Sequence, residues 1–129
     1  MLKRHNPPSV VKSFATYSQG VEVPPNARWL YVAGQVGVNP DGSIAEGSAA
    51  QVDRAWANVL GVLEAAGMGP EDLVRINVYI TKPEDVELNR GSWKKIARNG
   101  GPAITMVTVA RLSHPDWVVE IEAIAAKAA

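Results

Sequence analysis

Leu73-Val74-Arg75-Ile76-Asn77-Val78-Tyr79-Ile80-Thr81 is the stretch on which the fold turns. Its alternation sends Val74, Ile76, Val78 and Ile80 to one side of an extended chain and Arg75, Asn77, Tyr79 and Thr81 to the other, the period of a β-strand. The segments flanking it have a different period. Upstream, Val52, Ala55, Trp56, Val59, Leu60 and Leu63 recur at helical spacing. Ser48 with Gln51 offers that helix a capping box, and Gly67 a stop. Downstream, Thr81 and Glu84 offer caps to a second helix that tolerates Pro83 in its first turn. This helix is expected to run to about Arg98, where Asn99-Gly100-Gly101-Pro102 breaks it.

Further out, the chain reads as strands. Tyr17 to Val23 and Trp29 to Val36 flank Pro24-Pro25-Asn26-Ala27, which is turn chemistry, and a hairpin between them is expected. Beyond the second helix, Ile104 to Val109 is rich in β-branched residues, and a last strand is expected from Trp117 to Ala125. The element order is ββαβαββ, an α+β fold with two helices on one face of a mixed sheet. Several strands are apolar on both faces, so the face away from the helices is expected to pack on other copies of the chain in a cyclic oligomer.

At 129 residues, 47% of them hydrophobic, the chain fits one domain with its own core. Thirteen basic and 13 acidic residues cancel, and neither sign forms a long run. The basic stripe of a nucleic-acid binder or a membrane-surface protein is therefore missing. With no cysteine, thiolate chemistry and cysteine-based metal sites are excluded. Met1-Leu2-Lys3-Arg4-His5-Asn6-Pro7-Pro8 is polar and broken by proline, unlike a signal peptide or membrane span, and a cytoplasmic location is expected.

The motifs that carry known chemistry are absent: there is no phosphate loop, dinucleotide fingerprint, HExxH helix or GxSxG elbow. His5 and His114 have no carboxylates at metal-ligand spacing and read as surface histidines; no metal or organic cofactor is expected. Trp29, Trp56, Trp93 and Trp117 read as core or interface anchors rather than base-stacking platforms. Glu120 and Glu122 stand out, since they share one face of an otherwise apolar strand. Either they pair with Lys, Arg or backbone at a subunit interface, or one of them is a functional acid or base.

Five blocks carry a resemblance: Tyr17-Ser18-Gln19-Gly20; Val32-Ala33-Gly34-Gln35; Val62-Leu63-Glu64-Ala65-Ala66-Gly67; Val107-Thr108-Val109-Ala110-Arg111-Leu112; and Val119-Glu120-Ile121-Glu122-Ala123-Ile124-Ala125. In order and spacing they resemble the RidA/YjgF family. The resemblance implies a chorismate-mutase-like ββαβαββ fold, a barrel-like homotrimer and small-molecule clefts between subunits. Active members hydrolyse reactive enamines and imines to ketoacids and ammonia without a cofactor. Carried over by position, Tyr17 would line the cleft and Asn89 would be its polar helix residue. Glu120 would hold or activate water, with Ala33, Gly34, Ile104, Thr105 and Met106 contributing the remaining wall.

Two positions depart from the family pattern. Where active members have Arg after Pro-Ala, this chain reads Pro102-Ala103-Ile104-Thr105, and the small hydroxyl residue often found before Gly34 is Ala33. An arginine there would clamp a substrate carboxylate, an interaction of about 1.5–3 kcal/mol. Arg111 lies roughly 23 Å along an extended chain and on the opposite face, so it cannot stand in. Three readings follow: a hydrolase of an imine lacking a carboxylate at the Ile104 end, a non-catalytic binding or regulatory trimer, and the endoribonuclease or translation-inhibitor role of the family's older label. The balanced charge disfavours the third.

Overall fold

A computed structural model describes residues 1–13 and 16–129. Among the described residues six strands and two α-helices form, in chain order, β1 (Lys3–His5), β2 (Gly20–Glu22), β3 (Ala27–Val36), α1 (Ser48–Ala65), β4 (Leu73–Ile80), α2 (Val86–Ile96), β5 (Ala103–Thr108) and β6 (Val119–Ala128). The main sheet has the order β3-β6-β4-β5, in which β4 and β5 are parallel and β6 is antiparallel to both its neighbours. The two helices make the crossovers: α1 carries the chain from β3 past the slot later filled by β6, and α2 joins the adjacent parallel pair. Both pack on one face of the sheet, an α+β fold as the periodicities require.

Burial explains the registers. On α1 the residues Val52, Ala55, Trp56, Val59 and Leu63 are buried against Ile76, Val78 and Ile80 of β4 and Val119, Ile121, Ala123 and Ala125 of β6. The helix stops where Gly67 takes a φ of 69°, letting the Gly67 and Met68 N–H groups donate to the carbonyls of Glu64 and Leu63.

Local expectations fail where long-range partners decide. The two strands that flank Pro24-Pro25-Asn26-Ala27 do not form the expected hairpin: β2 pairs with β1, while β3 pairs with β6. Neither expected capping box forms. Gly47 is the N-cap of α1, and a short 3-10 turn over Pro83–Asp85 precedes α2. The Gln51 side chain instead reaches across the core, donating to Asp116 O at 2.9 Å and accepting from Val118 N at 3.0 Å. A register shift in β4 puts Leu73 rather than Val74 on the core side.

The face away from the helices carries three cross-strand rows: Val107–Tyr79–Glu120, Thr105–Asn77–Glu122, and Ala103–Arg75–Ile124–Tyr31. Tyr31 is 73% exposed, its same-face neighbour Trp29 50% and Val107 43%, so a large apolar area lies open there in the single chain.

Candidate functional site

Four of the residues singled out in the sequence come together at the β5 edge of the sheet. Ile104 and Met106 lie opposite Ile76 and Val78 in the parallel register and therefore point to the helix side. Together with Tyr17, Trp56, Asn89, Arg90 and Trp93 they line a recess of about 180 Å³. The indoles of Trp56 and Trp93 are stacked with centroids 5.0 Å apart and form its buried wall.

Hydrogen bonds fix each wall. Asn89 accepts from Trp56 Nε1 at 3.0 Å through Oδ1, and its Nδ2 lies 3.5 Å from Met106 Sδ. Its carboxamide thus braces the recess from within. Tyr17 arrives by way of its neighbours: Trp93 Nε1 donates to Thr16 O at 2.7 Å, Ser18 N donates to Pro102 O at 2.9 Å, and Ser18 Oγ donates to Gly101 O at 2.8 Å. Arg4 Nε adds a further bond to Gly101 O at 2.9 Å. The glycine-rich break before β5 therefore anchors the N-terminal arm and holds Tyr17 over the recess.

The other candidates lie elsewhere on the same chain. Thr105 follows Ile104 and so faces the opposite side of β5, where it accepts a hydrogen bond from Arg75 Nη2 at 2.7 Å. Glu120 is on that same open face of β6. It lies against Gly34, at a bulge where β3 shifts register between Val32 and Gln35, with Ala33 and Gly34 exposed. Within one chain, then, Tyr17, Asn89, Ile104 and Met106 form one group, and Glu120, Ala33, Gly34 and Thr105 lie on the face away from it.

Glu122 is held by its neighbours: its Oε1 accepts from Tyr79 OH at 2.6 Å and from Asn77 Nδ2 at 3.1 Å. That bond, reinforced by partial burial and by the charges of Glu122 and Glu120, raises the Tyr79 hydroxyl above its ordinary pKa. Arg111 bonds the carbonyls of Leu112 and Ser113 in its own loop. His5 pairs with Glu22 across β1 and β2 at 2.7 Å, and His114 stacks on Trp117. Among the described residues no group of three His, Asp or Glu side chains is placed to hold a metal. No described helix is long and apolar enough to cross a membrane.

Three lining residues, Trp56, Arg90 and Trp93, were not singled out as site residues from sequence. Trp93 is one helical turn from Asn89, a spacing that puts both on the face of α2 that meets the sheet edge; Arg90 follows Asn89 at the margin of that face.

A two-layer α+β chain thus carries a recess with apolar walls at its sheet edge and, on the opposite face, a carboxylate lodged against a strand bulge. The chain belongs to the RidA/YjgF family. It matches the family model described as Endoribonuclease L-PSP over residues 8–127. It is 34% identical over 113 residues to a RutC family protein of Aquifex aeolicus, covering 86% of this chain and 88% of that one. It is 32% identical over 115 residues to the 2-iminobutanoate/2-iminopropanoate deaminase of Salmonella typhimurium, covering 86% and 87%. The crystal structure of a protein of unknown function of the conserved Rid family, YyfB from Yersinia pestis, superposes with a TM-score of 0.83 at 30% identity, covering 96% and 97%.

Proposed function

We propose that this chain hydrolyses a reactive imine or enamine whose group packed against Ile104 is not a carboxylate. The carrying observation is that Ile104 and Met106, backed by the Trp56 and Trp93 indoles, make that end of the recess apolar. A carboxylate pressed onto such a wall would be desolvated without a partner. The activity in the name of the Salmonella relative supports the reaction class.

The working unit is a homotrimer in which Glu120 of one chain meets the recess of the next. Two observations favour this: the separation of Glu120 from Tyr17 within one chain, and the open sheet face bearing Trp29, Tyr31 and Val107. As the water oxygen bonds to the imine carbon, the C=N π pair moves onto nitrogen, and the water proton taken up by Glu120 passes to that nitrogen to give the carbinolamine. The carbinolamine hydroxyl then gives its proton through Glu120 to the amine, and the C–N bond breaks with its electron pair leaving on ammonia as the C=O bond forms. Tyr17 and Asn89 shape the site around the substrate.

The test generates imines in situ with an amino-acid oxidase from small and bulky precursors and follows their decay in a trapping assay, with the mass of the assembly measured alongside. The expected result is faster decay with the wild type for bulky precursors, loss of that acceleration in Glu120→Gln, and an Ile104→Arg variant that gains on small ones. A folded, trimeric wild type inert towards every imine would overturn the hydrolase reading in favour of a binding or regulatory trimer. An RNA substrate, suggested by the name of the family model, is disfavoured by the zero net charge.

A further inference from the structure

Tyr17 reaches the recess on a segment that rests against two successive glycines. Gly100 and Gly101 have φ values of 82° and 80°, and a Cβ built on Gly101 would lie 2.5 Å from Thr16 O and 3.2 Å from Tyr17 Cα. The backbone of Gly101 is thus packed directly on the backbone that carries the phenol. Glycine has the widest choice of backbone conformations, so the peptide that follows this pair reorients easily unless its carbonyl is held. Ser18 Oγ holds the Gly101 carbonyl from the same segment as Tyr17, and Arg4 Nε, donating at 2.9 Å, holds it from β1.

We infer that Arg4 is a positioning residue for Tyr17: its bond to the Gly101 carbonyl fixes the turn on which residues 16–18 sit, and through it the phenol over the recess. Arg4 is not among the residues that line the recess, so it acts there only through others. The inference rests on the proposed function for its effect on turnover, but not for its effect on where Tyr17 lies.

The chemistry of this arginine supports a role of position over one of stability. Among the described residues Arg4 forms no ion pair, and Gly101 O is the sole acceptor of its side chain. Its Nη2 is buried without a hydrogen-bond partner among them. A charge-assisted bond stabilises and an orphaned buried donor destabilises by a similar amount, so the two largely offset. What remains is geometric. Arg4 pairs with Val21 where β1 meets β2, β2 starts at Gly20, and Ser18 N donates to Pro102 O at 2.9 Å, just before the strand that carries Ile104. Arg4 therefore closes a frame in which the segment bearing Tyr17 is tied to the glycine turn from both sides.

The test compares two substitutions of equal charge in the intact protein. Arginine Nε and glutamine Nε2 are both bonded to Cδ, whereas methionine puts a methyl group at that place, so Arg4→Gln keeps the donor and Arg4→Met removes it. In the imine assay Arg4→Met is expected to lower kcat about tenfold, since the phenol is misplaced, and to leave KM within about twofold, since the Ile104 and Met106 wall is untouched. Arg4→Gln should recover most of that loss. In a Tyr17→Ala background Arg4→Met should change kcat no further, because it acts through the phenol. Independently of turnover, hydrogen exchange of the Ser18 amide should be about tenfold faster in Arg4→Met than in the wild type or Arg4→Gln.

Thermal melts should place both variants close to the wild type; an Arg4→Met chain that does not fold would make Arg4 a structural residue and overturn the assignment. Equal kcat in Arg4→Met and Arg4→Gln, a further fall in the Tyr17→Ala background, or unchanged Ser18 exchange would overturn it as well. A wild type inert towards every imine removes the hydrolase reading and leaves the Ser18 exchange to decide the assignment. Imine turnover that is indifferent to the choice of Met or Gln does the reverse.

Discussion

The carboxyl group of Glu120 occupies the space that a side chain at position 34 would need. A Cβ built on Gly34 would lie 2.8 Å from Glu120 Cδ and 3.0 Å from its Cγ. The obstacle is the far end of a flexible side chain, so Gly34→Ala displaces the carboxylate and not the strand. The expected outcome is a fold and melting temperature close to wild type with imine turnover reduced about ten- to a hundredfold, the scale of a misplacement near 1 Å. Gly61→Ala on α1, where an added Cβ meets nothing, is the control: unchanged turnover and about 0.5–1 kcal/mol more stability. Wild-type turnover in Gly34→Ala would show that the position of this carboxylate does not matter to the chemistry.

Asn89 makes a separate prediction, since its Oδ1 is the acceptor for the buried indole N–H of Trp56. Asn89→Ala leaves that donor without a partner and opens space beside Met106. Urea unfolding is expected to show a loss of about 1–3 kcal/mol from the unsatisfied group, with the lost packing in addition. Trp56→Phe removes the donor, so in a double-mutant cycle the two substitutions together should cost less than the sum of each alone. Strict additivity would mean that the bond contributes nothing and that Asn89 acts on the recess in some other way.

What the sequence made legible is local. Periodicity identified both helices and the long strands because it reports which side of an element is buried, and alternation along β5 already separates Ile104 from Thr105. Pairing was not legible: β2 pairs with β1 and β3 with β6, and the partner of β3 lies some ninety residues further along the chain, which no short window of residues records. Gln51 shows the same limit, since it fits a capping pattern with Ser48 yet serves the backbone of residues 116 and 118, buried where little water can reach. Tyr17, Asn89, Ile104 and Met106 were found through resemblance. Arg90 and Trp93 were missed because their role depends on which face of α2 meets the sheet edge, and only the assembled fold decides that.

The Tyr79–Glu122 pair gives a pH signature. Tyr79 donates to Glu122 at 2.6 Å, and ionising it would both break that bond and set a third negative charge beside two carboxylates, against which Arg75 is a smaller, opposing influence. The hydroxyl is therefore raised above the ordinary tyrosine value of 10.0 in the folded chain. The sign follows from the raised pKa: below pH 10 both states hold the proton and the hydrogen bond contributes in full. As pH rises, the unfolded chain ionises first, and the contribution is gone once the folded pKa is passed. In a difference titration of tyrosinate absorbance, the transition missing from Tyr79→Phe should have its midpoint above 10, and Glu122→Gln should move that midpoint down. A missing transition at or below the ordinary value, or one unmoved by Glu122→Gln, would mean that Glu122 does not govern this hydroxyl in solution.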